Sequence, residues 1–439
     1  MPYVPQPREE LRLRRSILLT VLVAVVLVAV GLVVTQRALQ PGGPPLIAAS
    51  ISPAAISPNA DGVADVTGIH YVLRRLAAVS IYFVNSAGTR FYFRKDKPRS
   101  AGPYDIDFSG VVDGYSLPGE NLANTVLARV LQNGQYTWVV EATDSAGQRN
   151  QITGTLTVTQ ADTVLPVIST FTISPPVFTP NQDGIDDHAI INVGLSKDVA
   201  PDGLTVSLIS ADGSQKLPVA EAVSPIQPGQ RGLHTFDYDG GINQGNEPPP
   251  NGTYTVRAVA QDRVGQQVSV DGQLTIALGG LPRADIVLGE VTWSGDQVLF
   301  GQPLTFTLVV ENYGTAPLRT SGPDSGWVYN SMAQQANSIG QYQQSGAWRI
   351  GIHCDTCETD YPWRWALGKT SELTMIPDSS GRPQYYLMPG QKVEVTGGIV
   401  LDKIIPSRNP QYFWAGLIHE DVAVVDDRVN PHFITIVPR

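Results

Sequence analysis

The chain has 439 residues, including 42 glycines and 34 prolines, with only 16% charged residues and a formal net charge of −10. That length calls for about three folding units, and the composition is that of turn-rich all-β modules and not of helical ones. The negative balance argues against nucleic acid as a partner.

Residues 16–34 (SILLTVLVAVVLVAVGLVV) are 19 residues without a charge, enough at about 1.5 Å per residue to cross a hydrocarbon core of roughly 30 Å. Arg8, Arg12, Arg14 and Arg15 precede the run and only Arg37 follows it closely. The positive-inside rule therefore puts the N-terminus in the cytoplasm and the bulk of the chain outside it. The expected layout begins with a cytoplasmic tail (1–15), a single-pass transmembrane signal anchor in the cell membrane (16–35) and a Pro/Gly linker (36–47). A cleaved signal peptide is the competing reading, against which stand the length of the run and the lack of a small-x-small site directly after it.

An internal repeat follows. SISPAAISPNADGVAD (50–65) is answered by TISPPVFTPNQDGIDD (172–187), 122 positions on, and NGQYTWVVEATDSAG (133–147) by NGTYTVRAVAQDRVG (251–265), 118 positions on. Two copies of one domain are expected, at 48–160 and 161–279, with the four-residue difference in loops. Tyr136, Trp138, Val140 and Ala142, and again Ala189, Ile191, Val193 and Leu195, alternate with period two. This predicts half-buried antiparallel strands and an Ig-like β-sandwich in each copy.

The third unit, 280–439, starts with another alternating run at Leu304, Phe306, Leu308 and Val310. Alternation then stops over 319–385 and resumes at 392–401 and 433–437, which predicts a sandwich carrying a long structured insertion.

The opening S/T-P-N-x-D-G-x-x-D, with N-G-x-Y-T and D-x-x-G near the close, resembles the Ig-like domains of flagellar-hook-cap type and the gliding- and secretion-associated modules of bacteria. Where those families have glycine between Asn and Asp, this chain has Ala60 and Gln182, so a less sharply turned loop is expected. Residues 284–318 resemble the start of a CARDB-type adhesion-related domain. Both resemblances imply surface display or adhesion, with a glycan or protein as the partner, and not catalysis.

Four groups of residues could carry chemistry. Asn59, Asp61 and Asp65, matched by Asn181, Asp183 and Asp187, offer oxygens spaced for a calcium ion, or for Asx-turns that cap their own backbone. Cys354 and Cys357, the only cysteines, read as a local disulfide in an exported domain; zinc with His353, His419 or His432 and a redox pair are the alternatives. Trp348, Trp363, Trp365 and Tyr361 crowd the expected insertion, either as a ligand-stacking surface or as a small core closed by the cysteine bridge. His419 and Glu420 lie in a strand-like run, where a structural role outweighs a general-base one. The sequence holds no G-x-S-x-G, H-E-x-x-H or Walker pattern, so a non-enzymatic role is expected.

Overall fold

The computed structural model describes residues 43–438. The expected span at 16–34 lies outside the described residues, as do the tail and most of the linker; among the described residues no helix is long and apolar enough to cross a membrane. The sheets are built of strands of 2–15 residues, and three hydrophobic cores follow one another along the chain.

The first copy is a sandwich. Strand Thr67–Leu73 lies between Leu46–Ser52 and Gly102–Phe108 in one sheet, and Gly134–Asp144 lies between Arg149–Val158 and Ala77–Val84 in the other, with Arg90–Arg99 at its edge. Alternation is why these segments pair: Tyr136, Trp138, Val140 and Ala142 all point into the core, as Ile69, Tyr71 and Leu73 do from the facing sheet. Leu46 is 1% exposed and already in the first strand, so the linker ends before residue 46 and not at 47 as expected.

The second copy repeats this order. Ile69 faces Ile106 in the first copy and Ile191 faces Phe236 in the second. These pairs are offset by 122 and 130 positions, so the four-residue difference between copies is the net of two larger changes. The second copy is eight residues longer before this strand, and the first is twelve longer after it.

Those additional residues of the first copy belong to a hairpin formed by Val111–Asp113 and Thr125–Val130. Val112 stays in the core of its own sandwich, but the hairpin extends the sheet of the second copy, where Thr125–Val130 pairs with Gln267–Ile276 through Thr125↔Ser269, Val126↔Val268 and Ala128↔Gln267. Ladder hydrogen bonds thus join the two repeats.

The C-terminal unit packs a sheet of Ala284–Ile286, Pro303–Asn312, Lys392–Val400 and Val328–Tyr329 against a second, larger one. Trp348–Cys354, Leu318–Thr320, Pro383–Leu387 and Trp363–Ala366 join Gln411–His419 and Ala423–Val437 in that second sheet. Residues 319–385 are therefore no insertion on a finished sandwich. Long loops interrupt their alternation, but the residues between those loops supply 8 of the 27 buried residues of the core.

Candidate functional site

The repeat-opening loops are alike in chemistry and opposite in setting. In the first, Asn59 Oδ1 accepts from the Asp61 amide, Asp61 Oδ1 from Val63, and the Asp65 carboxylate from the amides of Asn59, Ala60 and Gly62 at 2.7–3.0 Å. In the second, Asn181 accepts from Asp183, Asp183 from Ile185, and Asp187 from Asn181 and Gly184. These are the bonds of Asx-turns. Ala60 and Gln182 both hold positive φ, 62° and 56°; the turn is as tight as glycine would make it, and the network of amide bonds holds two side-chain-bearing residues in the left-handed region. No group of three or more His, Cys, Asp or Glu among the described residues is placed to hold a metal ion.

Each loop sits at the end of its sandwich that faces the next unit. The first stays largely exposed, and the Asn59 amide with its neighbours holds the Asp65 carboxyl below its ordinary range. The second is covered by the C-terminal unit. There Asn181 and Asp183 are 1% and 2% exposed, and burial pushes the carboxyls of Asp183 and Asp187 up, Asp183 to about 6 with help from the charge of Asp187.

The covering groups come from far along the chain. Arg319 Nε donates to Asp183 O at 2.6 Å and its Nη2 to Ser345 O at 2.5 Å, while Tyr386 Oη donates to Asp183 Oδ2 at 3.0 Å. His419 Nε2 donates to Gln182 O at 2.8 Å, and its ring stacks on Trp348 at 4.4 Å. Burial drives the His419 pKa down to about 4, so the ring is neutral at pH 7 and serves as a hydrogen-bond donor. Gly184 and Gly346 let the two backbones touch: a Cβ on Gly184 would lie 2.1 Å from Ser345 O. At the corresponding Gly62 a Cβ would meet nothing within 4 Å.

Glu420 is 2% exposed and bridges two guanidiniums, with Arg364 Nη1 at 2.6 and 2.7 Å and Arg349 Nη1 at 3.2 Å. Ser321 O, Ser321 Oγ and Tyr342 O take the other donors of Arg349. This buried cluster ties loops 321–342 and 361–364 to the last long hairpin. His419 and Glu420 are thus committed to structure.

Cys354 and Cys357 are joined in a disulfide, with Cα atoms 5.1 Å apart. The three histidines that could have completed a zinc set are elsewhere: His419 is on Gln182, His432 bonds Asp296, and the Nδ1 of His353 contacts the Cys354 backbone. Trp348, Trp363, Trp365 and Tyr361 are 2%, 1%, 0% and 2% exposed. These four do not form a stacking surface: their rings pack on protein, because Trp348, Trp363 and Trp365 lie in strands of the core and Tyr361, in the bend before the second of these strands, packs against Gly351 and Gly416. Trp363 Nε1 donates to Gln334 O, Trp365 Nε1 to Trp327 O, and Tyr361 Oη to Asp427.

Strand direction locates what lies at the far end. Trp348, His419 and Asn312 are at the junction end of the C-terminal sandwich, so Cys354, Gln411 and Val400 mark the opposite end. There a cleft of ≈ 430 Å³ is lined by Met332, Thr356, Glu358, Asp402 and Lys403, with Trp363 and the disulfide bordering it. Asp402 shapes its rim by accepting from Ser331 Oγ at 2.6 Å and from the Met332 amide at 2.9 Å. Behind Thr356, fully buried Gln411 keeps its Nε2 without a hydrogen-bond partner. Sequence reasoning missed this cleft because its residues come from three separated loops. The cysteine pair was the one signal pointing to it.

No family model matches the chain, and no curated protein matches it. Solved structures match over most of its length. The Escherichia coli adhesin FdeC is 10% identical with a TM-score of 0.23, covering 89% of this chain and 96% of that one. A calcium-stabilised adhesin with which an Antarctic bacterium binds ice is 14% identical with a TM-score of 0.22, covering 85% and 83%. A tetra-tandem repeat from the extending region of a large adhesion protein is 12% identical with a TM-score of 0.19, covering 84% and 81%. At these scores the likeness does not extend to a shared arrangement or a shared ligand.

Proposed function

We propose that the chain is a membrane-anchored, extracytoplasmic presentation protein, in which two coupled Ig-like repeats hold a C-terminal sandwich away from the bilayer so that its far end meets a glycan or protein. The observation that carries this reading is the coupling in series. The first junction is a strand ladder and the second a buried hydrogen-bonded dock, so neither behaves as a flexible linker. Chain direction supports it too: the polypeptide comes in beside Leu46 at one end of the first sandwich and leaves at Val158 at the other.

The role is non-enzymatic in this reading, and the end cleft is its contact region. Glu358, Asp402 and Lys403 there suit a polar ligand. A structural spacer without a ligand of its own is the second reading, favoured by the burial of the aromatic residues.

Two measurements test the proposal. Spin labels at S214C and S407C, one on each side of the second junction, are expected to give one narrow distance distribution; a broad one would overturn the stiff-array premise. Glycan and envelope-protein arrays probed with the full chain are expected to give a signal that Glu358→Lys and Lys403→Glu abolish. Binding that survives both changes would remove the cleft, and no binding at all would leave the spacer.

A further inference from the structure

We propose that the first repeat docks on the anionic phospholipid headgroups of the bilayer that anchors the chain, using the end of its basic edge strand. The inference rests on the anchored reading above. Its contact surface, however, is visible in the described residues.

Charge is strongly divided along the chain. Residues 43–158 hold nine Lys and Arg against nine Asp and Glu, a balance of zero, whereas residues 159–439 hold 16 against 29, a balance of −13. Within the first repeat, five basic residues fall on one strand, Arg90–Arg99. That strand pairs on one side only, with Ala77–Val84. Its single acidic residue, Asp96, is engaged with Ser80.

Register decides which way this charge points. Ala77 faces both Arg99 and Asp144, and Val79 faces Lys97. Arg75, two residues before Ala77, donates to Gly43 O at 2.8 Å, and Arg74 donates to Pro44 O. Lys97 and Arg99 are thus at the end of the sandwich where the chain arrives from residue 42, and Arg90 is at the opposite end. Arg75 and Arg149 at this end are paired with Asp144 and Glu141. Lys97 and Arg99 have no carboxylate within ion-pair distance among the described residues. Arg99 lies instead over the Tyr104 ring at 5.9 Å.

From residue 34, the last of the apolar run, to Gly43 is nine residues, which reach at most roughly 30 Å when fully extended. The basic end is therefore tethered close to the headgroups, whereas the acidic remainder is repelled by the same surface. Lysines on an edge strand also guard it against pairing with other chains. That role would be served equally at both ends of the strand, so position separates the two explanations.

Among the described residues no cysteine is free, and S100C, beside Arg99, places a single reactive thiol at this end. The test uses the full labelled chain in nanodiscs of phosphatidylcholine alone or of phosphatidylcholine with phosphatidylglycerol at about 7:3, with an acceptor-labelled lipid reporting energy transfer. Each basic residue at an anionic surface changes the docked-to-undocked ratio by roughly fivefold. Transfer is expected to be higher with phosphatidylglycerol, to fall in about 0.5 M salt, and to drop with Lys97→Glu/Arg99→Glu as the ratio falls by at least about 25-fold, the effect of the two lost positive charges alone. Arg90→Glu is expected to leave it unchanged.

Equal transfer in both lipids, or a Lys97→Glu/Arg99→Glu chain that behaves like its parent, overturns the docking while insertion into the discs keeps the anchor. An effect of Arg90→Glu as large as that of the pair would show a diffuse charge effect and overturns it as well. Failure to enter discs of either composition sinks the anchored reading, and the docking with it.

Discussion

At the second junction Asp183 and His419 sit on neighbouring bonds of one buried patch, and their linkage to pH has opposite sign. Folding raises the Asp183 pKa from 3.8 to about 6; its share of stability is fully present below pH 3.8 and is lost as pH rises through 6. Folding lowers the His419 pKa from 6.5 to about 4; its share is present above pH 6.5 and is lost as pH falls through 4. Each shift is roughly two pKa units, or about 3 kcal/mol, so the two nearly cancel between pH 4 and 6. Asp187, also pushed up by burial, adds to the Asp183 side.

The native chain is therefore expected to show a shallow pH dependence there, and substitution of either partner is expected to uncover the other. His419→Gln keeps a donor for Gln182 O, and its stability should fall by about 3 kcal/mol from pH 4 to 6. Asp183→Asn keeps an acceptor for Tyr386, and its stability should rise over the same interval. Urea unfolding followed by tryptophan fluorescence reports on the relevant unit, since six of the seven tryptophans lie beyond residue 280. A His419→Gln protein that gains stability with rising pH would refute the reasoning.

Three further outcomes follow from the same contacts. Gly62→Ala should cost about 1 kcal/mol, the left-handed penalty alone, whereas Gly184→Ala must also push Ser345 away and should cost several times that in the same urea assay; equal losses would mean that the dock is not closed in solution. Glu420→Gln leaves Arg349 and Arg364 buried without a countercharge and should lower stability by about 3–5 kcal/mol, with a loss under about 1 kcal/mol contradicting the cluster. Thermal melting in calcium and in chelator should give the same midpoint, because the loop oxygens already accept from their own amides; a rise with calcium, which binding to the folded state alone must produce, would assign the loops a cation.

Much of the fold is written in alternation. Ala189, Ile191, Val193 and Leu195 are each 4% exposed or less, as a period-two pattern on one buried face demands. The same rule failed for residues 319–385 for a physical reason: Trp348–Cys354 lies inside a sheet and is buried on both faces, and Trp363–Ala366, which pairs with it alone, is too short to show more than two alternations. Trp363 and Trp365, two apart and both buried, were the local trace of it. The loop chemistry was legible in Asn, Asp and Gly, because short polar side chains that cap backbone amides need only local sequence. That one copy of the loop would be buried was not, since Arg319, Tyr386 and His419 are 136, 203 and 237 residues from their partners.

The hairpin at 111–130 has an implication for how such a chain can be cut or lengthened. Homology would divide the polypeptide after residue 160, yet a fragment starting there loses Thr125–Val130 and bares the rim of Gln267–Ile276, a template for self-association. Nor are the copies interchangeable. Another copy of the second kind, spliced between them, would inherit the strap on its own rim and have none to hand on. The array would then grow in length and lose one stitch.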